Sequence, residues 1–291
     1  TLAPKIVERF RRTRKDLFLM AFKTTTGANA DAQYREGLSL LKRANANLVL
    51  ANDVVTGLNM VIVPEEARYH ETTDREAALE GLVEMALLRS TNTFTRSTVV
   101  EGPGVPWSSP EIPDNLRAVV DHCIRAGAYK PFEGKTVGHF AVRGREGTLI
   151  TSRRKSNFNH LAETGMVRIT PSGADEVVAE GGKPSVGGMS QRMIFADHAD
   201  ADAIVHFHCP LREDAPDAIP VREQRPYECG SHECGANTSA GLRAMAPGIK
   251  AVMLDEHGPN IVYGKDVPAD AVIAFIERNF DLARKTGGTI D

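Results

Sequence analysis

Ala203-Ile204-Val205-His206-Phe207-His208 is the stretch that decides how this chain reads. Three aliphatic residues followed by two histidines two apart describe a buried strand running out at a polar end. In an extended strand, residues i and i+2 project to one face, so both imidazoles can reach a single ion. Downstream, Ala251-Val252-Met253-Leu254 repeats the pattern and ends in Asp255-Glu256-His257-Gly258. Where two such strand ends meet, His206, His208 and His257 make a three-imidazole metal set. It leaves a divalent ion one open position, the arrangement that polarises a carbonyl or a bound water. The competing reading is that His206 and His208 are strand-end histidines hydrogen-bonded to backbone. The polar loop that follows them speaks for a site mouth.

The rest of the composition narrows the partner. With 291 residues the first expectation is two domains. A formal charge of -3 provides no field to draw the molecule to nucleic acid or an anionic membrane, so a small-molecule substrate is expected. The longest apolar runs, Leu48 to Ala51 and Met60 to Val63, fall far short of the roughly 20 residues that span a bilayer, and no membrane segment is expected. Four cysteines (Cys123, Cys209, Cys229, Cys234) without a secretory leader pattern point to a reducing, cytoplasmic setting. The chain opens on Thr1 and enters a helix-like pattern almost at once, as a processed or truncated product would.

Along the first ninety residues strand and helix alternate. The spacing predicts a strand over 16–22, a helix over 31–44 with Tyr34, Leu38, Leu41 and Ala44 inward, and strands at 47–51 and 60–63. Thr73-Asp74-Arg75-Glu76 reads as a capping box opening a helix to about Leu88, with Ala77, Leu79, Leu82 and Leu87 as core candidates. Between Ser90 and Pro113 the apolar period gives way to Thr, Ser, Gly and Pro, which reads as a linker. A helix follows from Pro113-Asp114 to about Ala126, then strands at 136–143 and 147–151, and a closing helix after Pro268.

Several short motifs occur in a recognisable order: Gly138-His139-Phe140-Ala141-Val142-Arg143, Leu149-Ile150-Thr151, Lys183-Pro184-Ser185, His206-Phe207-His208 and Glu256-His257-Gly258-Pro259-Asn260. From about Asn115 to Asp291 the sequence resembles the class II aldolase/adducin family. The resemblance implies an α/β/α sandwich around a mixed, mainly antiparallel sheet, commonly assembled as a homo-tetramer. It also implies His206, His208 and His257 as ligands of a divalent metal, usually zinc. Gly138, His139 and Ser185 would fall among the substrate and anion-binding positions.

There are departures. The glutamate that serves the sugar-phosphate aldolases as acid/base falls at Gly187, Val186 replaces a second serine, and His139 replaces an asparagine, as in the adducin-like branch. A glycine cannot exchange a proton, so a substitute is required. The candidates are Glu256 beside a predicted ligand, and Glu228, His232 and Glu233 in Tyr227-Glu228-Cys229-Gly230-Ser231-His232-Glu233-Cys234. Cys229 and Cys234 there are either thiolate ligands or inert turn residues. Arg153, Arg154 and Lys155, next to a predicted strand, are either an anion clamp or a solvated basic turn.

The amino-terminal Leu19 to Gly27 and Ala46 to Val54 resemble the later half of a phosphopantothenoylcysteine synthetase domain, over about residues 2–90. That resemblance implies a partial Rossmann-like segment whose nucleotide-binding opening would lie on a companion chain. The expected organisation is therefore 1–91 partial synthetase-like, 92–112 linker and 113–291 aldolase/adducin-like. The expected function is metal-dependent, aldolase-type carbonyl chemistry on a small anionic hydroxy-carbonyl or sugar-phosphate substrate. The alternatives are a non-catalytic adducin-like scaffold and a part of a phosphopantothenoylcysteine ligase assembly.

Overall fold

The structure, a computed structural model, describes residues 6–288 other than 174, 186 and 187, and leaves aside the side chains of Arg12 and Met189. Within it the chain divides into two units, residues 1–91 with 287–291, and residues 92–286.

In the first unit α1 (Val7–Thr13) precedes β1 (Met20–Thr25), α2 (Ala30–Ala44), β2 (Leu48–Asp53), β3 (Asn59–Ile62), β4 (Arg68–Thr72) and α3 (Arg75–Ser90). The sheet order is β1-β2-β3-β4. β1 and β2 are parallel, joined by α2, and the other two pairings are antiparallel. A single βαβ crossover is thus followed by an antiparallel meander. Helix α2 starts where the Asn29 side chain accepts the Ala32 N–H, and it ends at Asn45 in the left-handed region. Its inward residues include Tyr34, Leu38, Leu41 and Ala44, the expected stripe.

Three expectations change here. The first strand begins at Met20, four residues later than the apolar run suggests. The cap of α3 is Asp74, whose carboxylate accepts from Glu76 and Ala77 N–H, so Thr73 is not the capping residue. The helix then buries Ala78, Gly81, Leu82, Met85 and Arg89, while Ala77, Leu79 and Leu87 face outward. Of the four residues expected inside, Leu82 alone is there, against Leu48, Leu50, Val61 and Val63. Its burial contributes about 2 kcal/mol.

The second unit contains β5 (Arg96–Val100), α4 (Asp114–Arg125), β6 (His139–Arg143), β7 (Leu149–Ser152), α5 (Leu161–Thr164), β8 (Met166–Pro171), β9 (Glu176–Glu180) and α6 (Gly188–Asp197). It continues with β10 (Ala203–His206), β11 (Val221–Arg222), α7 (His232–Gly241), β12 (Arg243–Ala246), β13 (Ile249–Leu254), β14 (Gly258–Tyr263) and α8 (Ala269–Asn279). The strands run β11-β13-β14-β10-β6-β7-β8-β9-β5, with β12 also on β13. Only β11 with β13 and β5 with β9 are parallel, so the sheet is mixed and mainly antiparallel.

Each face carries its own core. Phe140, Val142, Ala203 and Val205 point to one side, where Leu116, Val119, Val120 and Cys123 of α4 meet Val272, Phe275 and Ile276 of α8. The alternate residues Ala141 and Ile204 point to the other, against Ile194 and Phe195 of α6. Helices on both faces of one sheet give this unit a mixed α/β architecture in three layers. The stretch expected as a linker is partly structural. Arg96–Val100 lies along β9 as an edge strand, and Val105, Trp107 and Ile112 are buried in the core. Its polar, exposed sequence carried no apolar alternation to signal a strand.

Candidate metal centre

Register brings the histidines together. His206 is the last residue of β10, paired with His139 on one side and Asn260 on the other. By alternation His206 and His139 share the face of Ile204 and Ala141, toward α6. His208 follows two residues beyond the strand end. His257 sits in the turn between β13 and β14, where Leu254 pairs with Gly258 and Glu256 adopts a φ of 54°. Two glycines permit the approach. A Cβ on Gly258 (φ 151°) would stand 2.1 Å from the Phe207 carbonyl oxygen, and one on Gly138 (φ 98°) would stand 2.5 Å from that of His206. Gly138 therefore owes its identity to the close backbone contact at His206.

The three imidazoles are buried, and one ligating nitrogen from each lies within 4.8 Å of the others. Among the described residues this is the one group of three or more His, Cys, Asp or Glu side chains so arranged. Ring centroids are 4.9 Å apart for His206 and His208, 4.6 Å for His206 and His257, and 4.6 Å for His208 and His257. His206 Nδ1 is 2.7 Å from the Pro259 carbonyl. A carbonyl only accepts, so Nδ1 carries the proton and Nε2 presents a lone pair. That Nε2 is 3.2 Å from His257 Nε2. Two nitrogens of a tetrahedral zinc site with bonds of about 2.05 Å lie about 3.3 Å apart, so the spacing fits an ion between them.

The electrostatics agree. Burial pulls His206 down to about 4, against the opposing effect of the hydrogen bond that its Nδ1 donates to the Pro259 carbonyl. Burial, then the neighbouring His257 and His206, hold His208 well below the ordinary histidine value. Both are uncharged at neutral pH, as ligands must be. His208 Nδ1 is buried with no hydrogen-bond partner among the described residues. A metal ion would relieve such an orphan.

A fourth imidazole lines the cluster. His139 stacks at 4.7 Å from His206, its Nδ1 2.8 Å from Gln191 Nε2 on α6, and burial keeps it neutral. Gln191 and the Pro259 carbonyl were not anticipated from sequence. Pro259 could have been, because it follows His257 by two residues within the quoted motif.

The remaining candidates separate into two groups. Extending the β6–β7 register (Ala141 with Thr151) by two residues along each strand sets Arg153 opposite His139. Arg153 is thus two strand spacings, about 10 Å, from His206 along the same sheet end. Its guanidinium donates to the Gly181 carbonyl, and its backbone bridges Pro184, the neighbour of buried Ser185. Arg154 and Lys155 are exposed. Gly187 lies outside the described residues. In the other group, His232 and Glu233 open α7 and are held elsewhere: His232 Nε2 by Asp175 at 2.9 Å, and Glu233 by the Thr93 N–H and hydroxyl at 3.0 and 2.9 Å. The Glu228 backbone N–H binds Asn92, and Glu256 is exposed on the His257 turn. Cys234 is buried, with its sulfur 3.6 Å from Gln224 Nε2, and Cys229 is half-buried.

Comparison with known proteins gives one family match. Residues 117–212 match the Class II Aldolase and Adducin N-terminal domain. No curated protein matches the chain. Similar solved structures include an L-fuculose 1-phosphate aldolase, 19% identical over 56% of this chain and 82% of that one, with a TM-score of 0.41. The L-fuculose-1-phosphate aldolase of Thermus thermophilus is 17% identical over 59% and 89%, with a TM-score of 0.41. YgbL of Escherichia coli is 16% identical over 57% and 84%, with a TM-score of 0.40. The stretch that matches this family model, residues 117–212, contains His139, His206 and His208 and ends before His257.

Proposed function

We propose that the protein is a metal-dependent lyase of the aldolase type, acting as a cytoplasmic homo-oligomer on a small anionic hydroxy-carbonyl or sugar-phosphate substrate. The observation that carries this is the convergence of three buried imidazoles. Zinc, the ion proposed, supplies Lewis acidity to a substrate carbonyl or enediolate oxygen when bound. His206 contributes Nε2, because Pro259 holds its Nδ1 proton. His139, with Nδ1 held by Gln191, offers its other nitrogen to the substrate. Arg153, beside Ser185 and opposite His139 in the extended β6–β7 register, takes the distal anionic group through its guanidinium fork. Glu256 is the preferred proton carrier, because it rides on the His257 turn.

A second reading, a binding protein that keeps the fold without the chemistry, draws support from the glycine at 187. For the first unit, the β1–α2–β2 crossover supports a narrower proposal, a partial nucleotide-binding fold completed by a companion chain. Zinc-loaded protein is to be screened for aldehyde release from hydroxy-carboxylate and sugar-phosphate donors. Turnover that vanishes in His257→Ala supports the lyase. Inert protein with a filled site overturns it in favour of the scaffold.

A further inference from the structure

His206 and His139 stand side by side on one face of the sheet, and different partners hold them. His206 gives its Nδ1 proton to the Pro259 carbonyl at 2.7 Å. His139 meets a side chain instead: its Nδ1 lies 2.8 Å from Nε2 of Gln191, a residue of α6 with no exposed surface. A carbonyl only accepts, so the tautomer of His206 is dictated. An amide has a donor end and an acceptor end, so at His139 the choice rests with Gln191.

Two orientations of that amide fit the contact. With its nitrogen toward His139 the amide donates, Nδ1 carries no proton, and the ring's one proton sits on Nε2. The group left over is Gln191 Oε1, buried without a partner among the described residues. With its oxygen toward His139 the ring would be protonated at Nδ1, and a buried NH2 would take the place of that oxygen, with two donors to satisfy. Orphaned N–H groups are the rarer fault in folded proteins, and an under-satisfied carbonyl is tolerated more often. The structure holds the first orientation, the less demanding of the two.

The consequence is the chemistry of the other ring nitrogen. His139 is 4% exposed, its Nε2 makes no hydrogen bond to a described residue, and its ring centroid is 4.7 Å from that of His206. The two rings are therefore complementary: His206 presents a lone pair at Nε2 and His139 an N–H. A lone pair can hold a cation, whereas an N–H serves only an oxygen that accepts. A carbonyl or enediolate oxygen at the histidine centre is such an oxygen.

We propose that Gln191 is a positioning residue, which fixes His139 as a neutral N–H donor beside the metal ligands for an oxygen of the bound substrate. This rests on the metal-centre reading above. The ring keeps a single proton throughout, and Gln191 decides only which nitrogen carries it. His139 then serves a carbonyl or enediolate oxygen and takes no proton from a substrate hydroxyl.

Long-range proton–nitrogen correlation spectra of the imidazoles in the full chain read the tautomer directly, with the His139 signals identified by their loss in His139→Phe. Protonation at Nε2 is expected in metal-free and in zinc-loaded wild type. Protonation at Nδ1 overturns the proposal and leaves the metal centre standing. The donor role is read by calorimetry on zinc-loaded protein, with acetohydroxamate, which places an accepting oxygen on the ion, against imidazole, which places none. Gln191→Met is expected to weaken acetohydroxamate about tenfold, with imidazole and zinc affinities within about twofold of wild type. The same substitution made in His139→Phe is expected to cost nothing more, because its effect passes through His139. Unchanged acetohydroxamate affinity, or equal losses for both probes, makes Gln191 a packing residue and overturns the assignment, as do losses that add in the double variant. Failure of wild type to take up zinc overturns the donor role and the metal reading together.

Discussion

Asp53 and His206 occupy equivalent places, each the last residue of a buried strand, and their surroundings are opposite. The Asp53 carboxylate accepts from the N–H groups of Gly27 at 3.1 Å, Ala28 at 2.8 Å, Val55 at 2.9 Å and Thr56 at 2.9 Å, and from the Thr25 hydroxyl at 2.9 Å. Every lone pair has a donor, so the group is complete within its own unit. At His206 the nitrogens of neighbouring rings face one another, and a neutral ring pair holds at most one proton between them. A saturated polar group ties loops together; converging imidazole nitrogens can hold a cation. The same position on a strand can thus serve structure or chemistry, and the partner list decides which.

The contrast can be broken hardest at Gly258. A methyl group there meets the Phe207 carbonyl at 2.1 Å, in a backbone region that L residues avoid. Gly258→Ala is expected to cost about 3 kcal/mol by denaturant unfolding and to scatter the cluster, since both strain and overpacking operate. Asp53→Asn is expected to destabilise the first unit without affecting metal uptake. Its pH signature sharpens the comparison. The Thr56 N–H first, then the Ala28 and Val55 N–H groups and the Thr25 hydroxyl, hold the carboxyl far below its usual range, against burial. A depressed folded value means the stabilisation is full above the unfolded value of about 3.9 and is lost as pH falls below it. Wild type should therefore lose stability on acidification more steeply than Asp53→Asn, read from thermal melts between neutral and acid pH. Parallel acid limbs would contradict this. The smallest effect is expected at Thr286. Thr286→Val removes the hydroxyl bond to His257, and zinc affinity should fall about tenfold in a competition titration, with Thr286→Ser close to wild type.

What was legible in the sequence follows from the same physics. The histidine strand was readable because an apolar run ending in His-x-His is long enough for a buried strand and sets both imidazoles on one face. The closing helix was readable because Val272, Phe275 and Ile276 keep one stripe, and that stripe is buried. The face of α3 was misread because the cap lies one residue later than Thr73, which shifts the inward stripe onto Ala78, Leu82 and Met85. β5 was hidden because Arg96 to Val100 is exposed along its length, and only its partner β9 defines it. Of the site, the triad was visible as spacing. The Thr286 bond to His257 and the His139–Gln191 pair were not, since each joins residues 29 and 52 positions apart with no motif between them.

The central claim is that one divalent ion binds where three strand-end imidazoles converge. Zinc titration of metal-free wild type, followed calorimetrically beside His206→Ala, His208→Ala and His257→Ala, tests it most directly. One equivalent per chain in wild type, weakened at least about a hundredfold in each variant, is the expected result. Equal uptake by all four proteins, or none by wild type, would contradict it.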